Sequence, residues 1–240
     1  MSHKVLKTKD LILKIGDIEN ASAAAANLSI AYNYLYQFRK ALSILKSVLP
    51  SVEQSDLTIN KATIYSQIAL CYQNLGITDS SIIFNLKSLP IFERYKKYDL
   101  LSYVYNNLGN YYYYKSIYDT SILYYKKALH ITKNILKEKY NIGACISNIG
   151  TVYKDKGYLD SAMEYYVQSI KILQEVKDSI EIGDRHLKIS DIYIIKKDYI
   201  KAMQYCELAF LYAKNKNAKI LTFNVLIRLA LLYQKCNKNE

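Results

Sequence analysis

The sequence predicts an all-α chain of helical hairpins repeated end to end, and three observations predict it. Gly 7 and Pro 2 are very few for 240 residues. Those residues punctuate turns and sheet corners, so their scarcity favours long helices with short connections. One motif returns about every forty residues. Within each copy the apolar positions fall three, four and seven apart, the spacing of one helix face.

The repeating motif reads polar, aliphatic, small, any, any, Tyr. It occurs as Asn27 to Tyr32, Gln67 to Tyr72, Asn107 to Tyr112, Asn148 to Tyr153, Lys188 to Tyr193 and Arg228 to Tyr233. The tyrosines at 32, 72, 112, 153, 193 and 233 stand 40, 40, 41, 40 and 40 residues apart. Six anchors in one register make a repeat architecture, in which each unit buries its apolar face against the next. Downstream of each Tyr comes a turn position (Tyr36, Gly76, Ser116, Gly157, Lys197). A small residue follows (Ala41, Ser81, Ser121, Ala162, Ala202), so each repeat holds two helices. Gly109 and Gly150 on the first helix, and Ala41, Ala162 and Ala202 on the second, let the two backbones approach, with Tyr filling the space beside them.

These residues resemble the tetratricopeptide repeat, whose pattern has Leu-Gly then Tyr on the first helix and Ala, an aromatic and Ala on the second. The best copies are Asn107-Leu-Gly-Asn-Tyr-Tyr with Ala128, and Asn148-Ile-Gly-Thr-Val-Tyr with Gly157, Ala162 and Tyr166. The resemblance implies a right-handed superhelical solenoid of antiparallel helix pairs. The usual period is about 34 residues; the longer one here resembles repeats of kinesin light chains and of bacterial regulators and sensors. The added length is expected in the second helix and its exit turn. The early Trp of many repeats is replaced by Ala25, Tyr65, Tyr105, Ile146, His186 and Leu226.

The register draws repeats at 22–61, 62–101, 102–142, 143–182 and 183–222. Residues 1–21 are read as the second helix of a preceding half repeat, at 4–15, plus a linker. Residues 223–240 are read as an unpaired first helix of a sixth repeat. On this reading the chain is part of a longer protein. Pro50 and Pro90 share one register position in the second helix, where a missing donor is expected to kink or end it.

Composition narrows the function. At 51% hydrophobic the chain can build a large core. No run of 18 apolar residues and no secretion signal is present, which predicts neither membrane span nor export. Cys71, Cys145, Cys206 and Cys236 form no CxxC pair, so they are expected as free buried thiols of a reducing compartment, the cytoplasm. The +12 net charge accompanies a bias to Lys, Asn, Ile and Tyr that fits AT-rich codon usage. Half the excess nevertheless sits in residues 183–240, with 11 basic and 5 acidic side chains.

Nothing in the sequence points to catalysis, a metal or a cofactor. His3, His130 and His186 have no ligand spacing, and His186 is expected to pack. Every glycine but Gly16 falls on a repeat position, so no phosphate loop exists. Asp155, Asp160, Asp178 and Glu181 are expected as solvated surface charge.

The expected function is therefore a non-catalytic scaffold whose concave first-helix groove binds a protein or peptide segment of acidic character. The groove face is read as including Asn106, Asn110 and Tyr113 in repeat three, Lys154 in repeat four and Asp191 and Ile194 in repeat five. A neighbouring ladder of amides, Gln67, Asn107 and Asn148, ends in the cations Lys188 and Arg228. Amides can clamp a peptide backbone through donor and acceptor together; they can equally bridge helices within the array. Two alternatives stand beside this reading. One is the sensory or docking region of a larger transcriptional regulator or kinase; the other is an RNA-binding helical repeat, against which stand the packing role of the tyrosines and the diffuse charge.

Overall fold

The computed structural model describes residues 17–236. The half repeat expected at 4–15 lies outside the described residues. Eleven α-helices and no strand occur among the described residues. They are α1 (Ile18–Tyr34), α2 (Phe38–Gln54), α3 (Thr58–Asn74), α4 (Thr78–Arg94), α5 (Tyr98–Tyr114), α6 (Tyr118–Ile131), α7 (Lys139–Asp155), α8 (Leu159–Glu175), α9 (Ser179–Ile195), α10 (Tyr199–Asn215) and α11 (Lys219–Cys236). The chain divides into two compact units, Met1–Tyr111 and Tyr112–Glu240.

Both helices have 17 residues in the pairs α1 with α2 and α7 with α8, so the second helix there is no longer than the first. The single 41-residue interval has its own cause. After α6 the chain adds a π turn over Thr132–Leu136, where Thr132 Oγ1 donates to the carbonyls of Ala128 (3.1 Å) and Leu129 (3.2 Å). A π turn accommodates one added residue without leaving the helix.

Most helices end in the same way. At Tyr36 φ is 56°, its N–H donates to Asn33 O at 3.0 Å, and the N–H of Gln37 donates to Tyr32 O at 2.8 Å. This is the paired-bond closure of a helix end through one left-handed residue. The carbonyls of Tyr72, Tyr112, Tyr153 and Tyr193 close the other first helices identically. The repeated tyrosine therefore marks the last turn by its backbone as well as by its ring. Only Gly76 and Gly157 among these left-handed positions are glycine; Tyr36, Lys96, Ser116, Lys137, Lys177, Lys197 and Asn217 adopt positive φ with a side chain. Each carries the steric cost of about 1–2 kcal/mol that the left-handed conformation imposes on L-residues.

The two proline helices run four residues past Pro50 and Pro90, so proline does not end them. Both rings sit on the exposed side.

The core follows the register. Ala41, Ala162, Ala202 and Ser121 are fully buried, and on the next turns so are Leu45, Tyr166 and Cys206. Small residues bring backbones together, and where they are serine the hydroxyl finds a carbonyl across the pair: Ser81 Oγ donates to Ala69 O (2.9 Å), Ser190 Oγ to Ala202 O (2.8 Å). The repeat tyrosines stack on an aromatic of the following helix. Tyr72 on Phe84, Tyr112 on Tyr124, Tyr153 on Tyr165 and Tyr193 on Tyr205 have centroids 5.9, 5.5, 5.3 and 5.4 Å apart with interplanar angles of at most 24°. His186 packs as expected, against Tyr205 and Tyr212, and burial lowers its pKa. Three thiols are buried, and burial pushes those of Cys71 and Cys145 up to about 11.

Candidate functional site

The first helix of each pair supplies the candidate face, and its residues differ in how far they can reach. In the first unit Asn107 is only 5% exposed. Little of this amide is therefore open to a ligand, and its Nδ2 is enclosed without a hydrogen-bond partner. Gln67 is half-buried with its Oε1 enclosed and without a hydrogen-bond partner. Asn106 and Asn110, four residues apart on α5, are half-buried with part of each side chain at the surface. Between α1 and α3 lies a pocket of about 260 Å³ lined by Ser22, Ala23, Ala26, Asn27, Asn60, Thr63 and Ile64, where Asn60 Nδ2 donates to Ser22 Oγ at 2.8 Å.

In the second unit the charged residues form pairs that the sequence did not reveal. Lys188 Nζ lies 3.2 Å from Asp184 Oδ2 and donates to Ser147 Oγ at 3.3 Å. Asp184 also meets Arg185, whose Nη1 is 2.6 Å away and equally close to Glu181 Oε2. Burial disfavours the charge on Asp184, but Lys188 and Arg185 outweigh it and hold the carboxyl below the usual range. Burial also lowers the Lys188 pKa. Lys188 therefore already has an acidic partner inside the fold.

Arg228 is likewise paired. Its Nη2 donates to Asp191 Oδ2 at 3.1 Å and its Nε lies 2.6 Å from Oδ1. Burial pushes the Asp191 carboxyl up, and Arg228 and Lys154 pull against it without prevailing. Tyr113 Oη donates to Asp155 Oδ2 at 2.6 Å, and Lys154 Nζ lies 3.3 Å from Asp155 Oδ1. Asp155 is exposed, as expected, and also serves as an acceptor within the fold. Asp178 caps α9 by accepting from the Glu181 N–H, and Asp160 accepts from Lys196 at 2.6 Å.

Lys154 and Arg228 come together in a pocket of about 290 Å³ with Asp191, Ile194, Ile195, Leu231, Leu232 and Lys235. It spans α7, α9 and α11, the first helices of successive pairs. Its polar end is the Arg228–Asp191 pair and its walls are aliphatic. Such a site suits an apolar side chain carried by a polar backbone. Asn148 and Lys188 stand half-buried on the same helices without lining it. No group of three or more His, Cys, Asp or Glu that could hold a metal occurs among the described residues.

Residues 145–172 and 184–216 match the family model of the tetratricopeptide repeat. No curated protein matches the chain in sequence. Solved structures resemble it in fold. BtubC (BKLC) from P. vanneervenii is 18% identical with TM-score 0.74, over 89% of this chain and 90% of that one. A signal transduction ATPase with numerous domains from Pyrococcus horikoshii, described as having a tetratricopeptide repeat sensor, is 21% identical with TM-score 0.76, over 94% of this chain and 34% of that one. A Rap protein complexed with Competence and Sporulation Factor is 17% identical with TM-score 0.73, over 90% of this chain and 61% of that one. The chain thus spans most of BtubC but only part of the other two. It carries tetratricopeptide repeats at 145–172 and 184–216, and its helices, packed in consecutive pairs, have the fold of tetratricopeptide-repeat proteins.

Proposed function

We propose that this chain is a non-catalytic scaffold that binds a protein or peptide segment on the face of its first helices. The observation that carries the reading is the pocket of α7, α9 and α11, where Ile194 and Leu231 offer apolar walls beside Lys154 and Arg228. The likeness to a Rap protein solved with Competence and Sporulation Factor supports a ligand-binding role for the fold.

Because Arg228 and Lys188 are paired internally, charge contributes less to affinity than the sequence implied. An acidic group on the ligand would have to compete with Asp191, a carboxylate already desolvated and in place. Lys154 is paired with Asp155 as well, so Lys235 is the exposed lining cation that an acidic flank would meet, with an effect screened by salt. Asn148 on α7 remains the candidate for holding backbone in the second unit, and Asn106 and Asn110 on α5 are separate candidates in the first.

Affinity capture with the full chain, followed by mass spectrometry, would supply a bound segment to titrate. That segment should bind Leu231→Glu at least about tenfold more weakly than the parent, the loss expected when a buried apolar anchor is replaced by charge. The melting temperature should not move, since Leu231 is 44% exposed. Equal affinity for the two proteins would refute the assignment of the pocket. A second reading, the sensing part of a larger regulator, is favoured by the likeness to the multidomain ATPase, of which the matched part is 34%.

A further inference from the structure

The outer stripe of α6, with the π turn that extends it, carries positive charge that the fold does not use. Residues 120–137 contain no Asp or Glu, and Lys126, His130, Lys133 and Lys137 follow one another at steps of four, three and four residues. Such steps return to one face of a helix. The pattern of burial agrees, because these four are exposed while Tyr125, Ala128, Ile131 and Thr132 between them are buried. Lys127 is drawn aside, its Nζ 5.5 Å from the Tyr124 ring centroid. Among the described residues no carboxylate lies within ion-pair distance of Lys126, Lys133 or Lys137. The acids that bracket the stretch, Asp119 and Glu138, are engaged with Lys156 and Asn141.

The register shows that this charge is not part of the repeat. The twelfth position after the small residue of the second helix (Ala41, Ser81, Ser121) is Glu53, then Glu93, then Lys133. In the first two repeats the carboxylate accepts from the hydroxyl of Tyr65 or Tyr105. In the third, Ile146 stands at the tyrosine's place, apolar and buried, so no internal acceptor is needed there. Nor does the helix dipole explain the stripe. It favours cations only in the last turn, which leaves Lys126 unaccounted for, and α2 and α8 have no basic residue in theirs.

The flanks of the stripe say what it fits. Leu123, three residues before Lys126, is 53% exposed, and Ile135 beside the far end is 41% exposed. An apolar residue followed by steps of three, four, three and four is the spacing by which one helix lies along another. A helix of about four turns would match this length of about 20 Å, with carboxylates opposite the lysines and an apolar residue on Leu123. A phosphate polymer would use the cations and leave Leu123 and Ile135 uncovered, and the stripe holds no Arg, the residue suited to bidentate phosphate contacts. This chain is itself a poor occupant: residues 1–16 set Lys4, Lys7, Lys9 and Lys14 against Asp10, and the net charge of +12 opposes a second copy. The complete pair α7 and α8 follows α6, and the stripe is exposed with that pair in place.

We propose that the outer face of α6 binds an acidic amphipathic helix of a partner protein, its carboxylates on Lys126, Lys133 and Lys137 and an apolar side chain on Leu123. No residue of α6 lines the first-helix pocket, so the two surfaces are independent. Charge selects the partner and the apolar flanks hold it in register.

The probe is a synthetic helix of about four turns with Glu at steps of four, three and four and Leu at its flanks; its counterpart has the same composition with the Glu residues consecutive. Titrated by fluorescence anisotropy against the full chain at low ionic strength, the spaced helix should bind about tenfold more tightly than the counterpart, and salt should weaken it. The triple variant Lys126→Gln, Lys133→Gln, Lys137→Gln should lose about tenfold, roughly twofold for each exposed pair, with circular dichroism unchanged. Lys40→Gln, Lys46→Gln, Lys97→Gln, which removes the same charge from other exposed sites, should stay within about twofold of the parent. Should the α6 triple lose helicity, Lys133→Glu alone gives the reading, with weaker binding expected and unchanged binding overturning the proposal. Equal loss in the two triple variants overturns it, since the attraction is then diffuse, and so does equal binding of the two probes. Anionic vesicles or single-stranded RNA that bind more tightly than the spaced helix, and lose affinity in the α6 triple alone, also overturn it, the ligand being then a phosphate. Leu231→Glu should leave the spaced helix bound; its loss would move the binding to the pocket and overturn the assignment to α6.

Discussion

Replacing Gly150 tests the close approach of α7 and α8, on which the register of the repeat depends. A Cβ at residue 150 would lie 2.9 Å from Tyr165 Cβ and 3.1 and 3.2 Å from Tyr166 Cε1 and Cδ1. Neither tyrosine can withdraw easily. Tyr165 stacks on Tyr153 at 5.3 Å, and Tyr166 is fully buried with its hydroxyl 3.1 Å from Thr151 Oγ1. Two effects oppose each other in Gly150→Ala. Helix propensity favours alanine by about 1 kcal/mol, and overpacking costs about 1–3 kcal/mol, so a net loss of about 0–2 kcal/mol is expected. Gly150→Leu brings three further carbons to the same place at the upper end of that cost. After the propensity gain its net loss is about 2 kcal/mol, or a fall in Tm of about 4–8 °C for a chain of this size. Urea unfolding followed by far-ultraviolet circular dichroism measures both variants. An alanine variant more stable than the parent by about 1 kcal/mol, with leucine neutral, would refute the reasoning, because propensity would then have acted without a steric opponent.

Three further outcomes follow from the same structure. Lys197→Gly and Ser116→Gly should each raise stability by about 1 kcal/mol by relieving a left-handed backbone (φ 60° and 59°), whereas Gly157→Ala at φ 85° should lower it by a similar amount; thermal melts of the three decide. Burial lowers the His186 pKa, so the folded state resists protonation that the unfolded chain accepts. Its contribution is complete above the unfolded value of about 6.5 and is lost as pH falls below that toward the folded pKa; His186→Phe should flatten the stability curve in this window, read from urea midpoints at successive pH values. Arg228→Ala leaves the Asp191 carboxylate partly buried and unpaired and should cost about 1–2 kcal/mol, less than a fully buried pair because both groups retain solvent contact; adding Asp191→Asn should recover most of it, and additivity in that double-mutant cycle would count against the pair.

The fold was largely legible because the tyrosine period and the helical spacing describe one object at two scales. Six anchors gave the pairing, and the small residues named the contacts that Gly150 and Ala162 make. The site was less legible. Asn107 and Asn110 are both asparagines on one helix, three residues apart, yet the first is 5% exposed and the second half-buried. Three residues turn a helix by most of a revolution, and only the neighbours decide which side is covered. Lys188 and Arg228 read as free cations because their partners could not be ranked. Asp184 lies four residues before Lys188, a detectable spacing, but Asp191 stands 37 residues before Arg228.

What the sequence by itself determined is the local and the periodic: helices of alternating face, turns at fixed intervals, and an aromatic ready to stack. Tertiary structure decided what depends on distance. It gave the extra residue of the third repeat to a π turn, kept Pro50 and Pro90 inside their helices, and put side chains other than glycine at left-handed turns. It also joined Lys188 and Arg228 to Asp184 and Asp191. The physical reason is that periodicity fixes which face a residue occupies, whereas charge pairing, burial and backbone strain are settled by atoms of another helix only a few ångströms away.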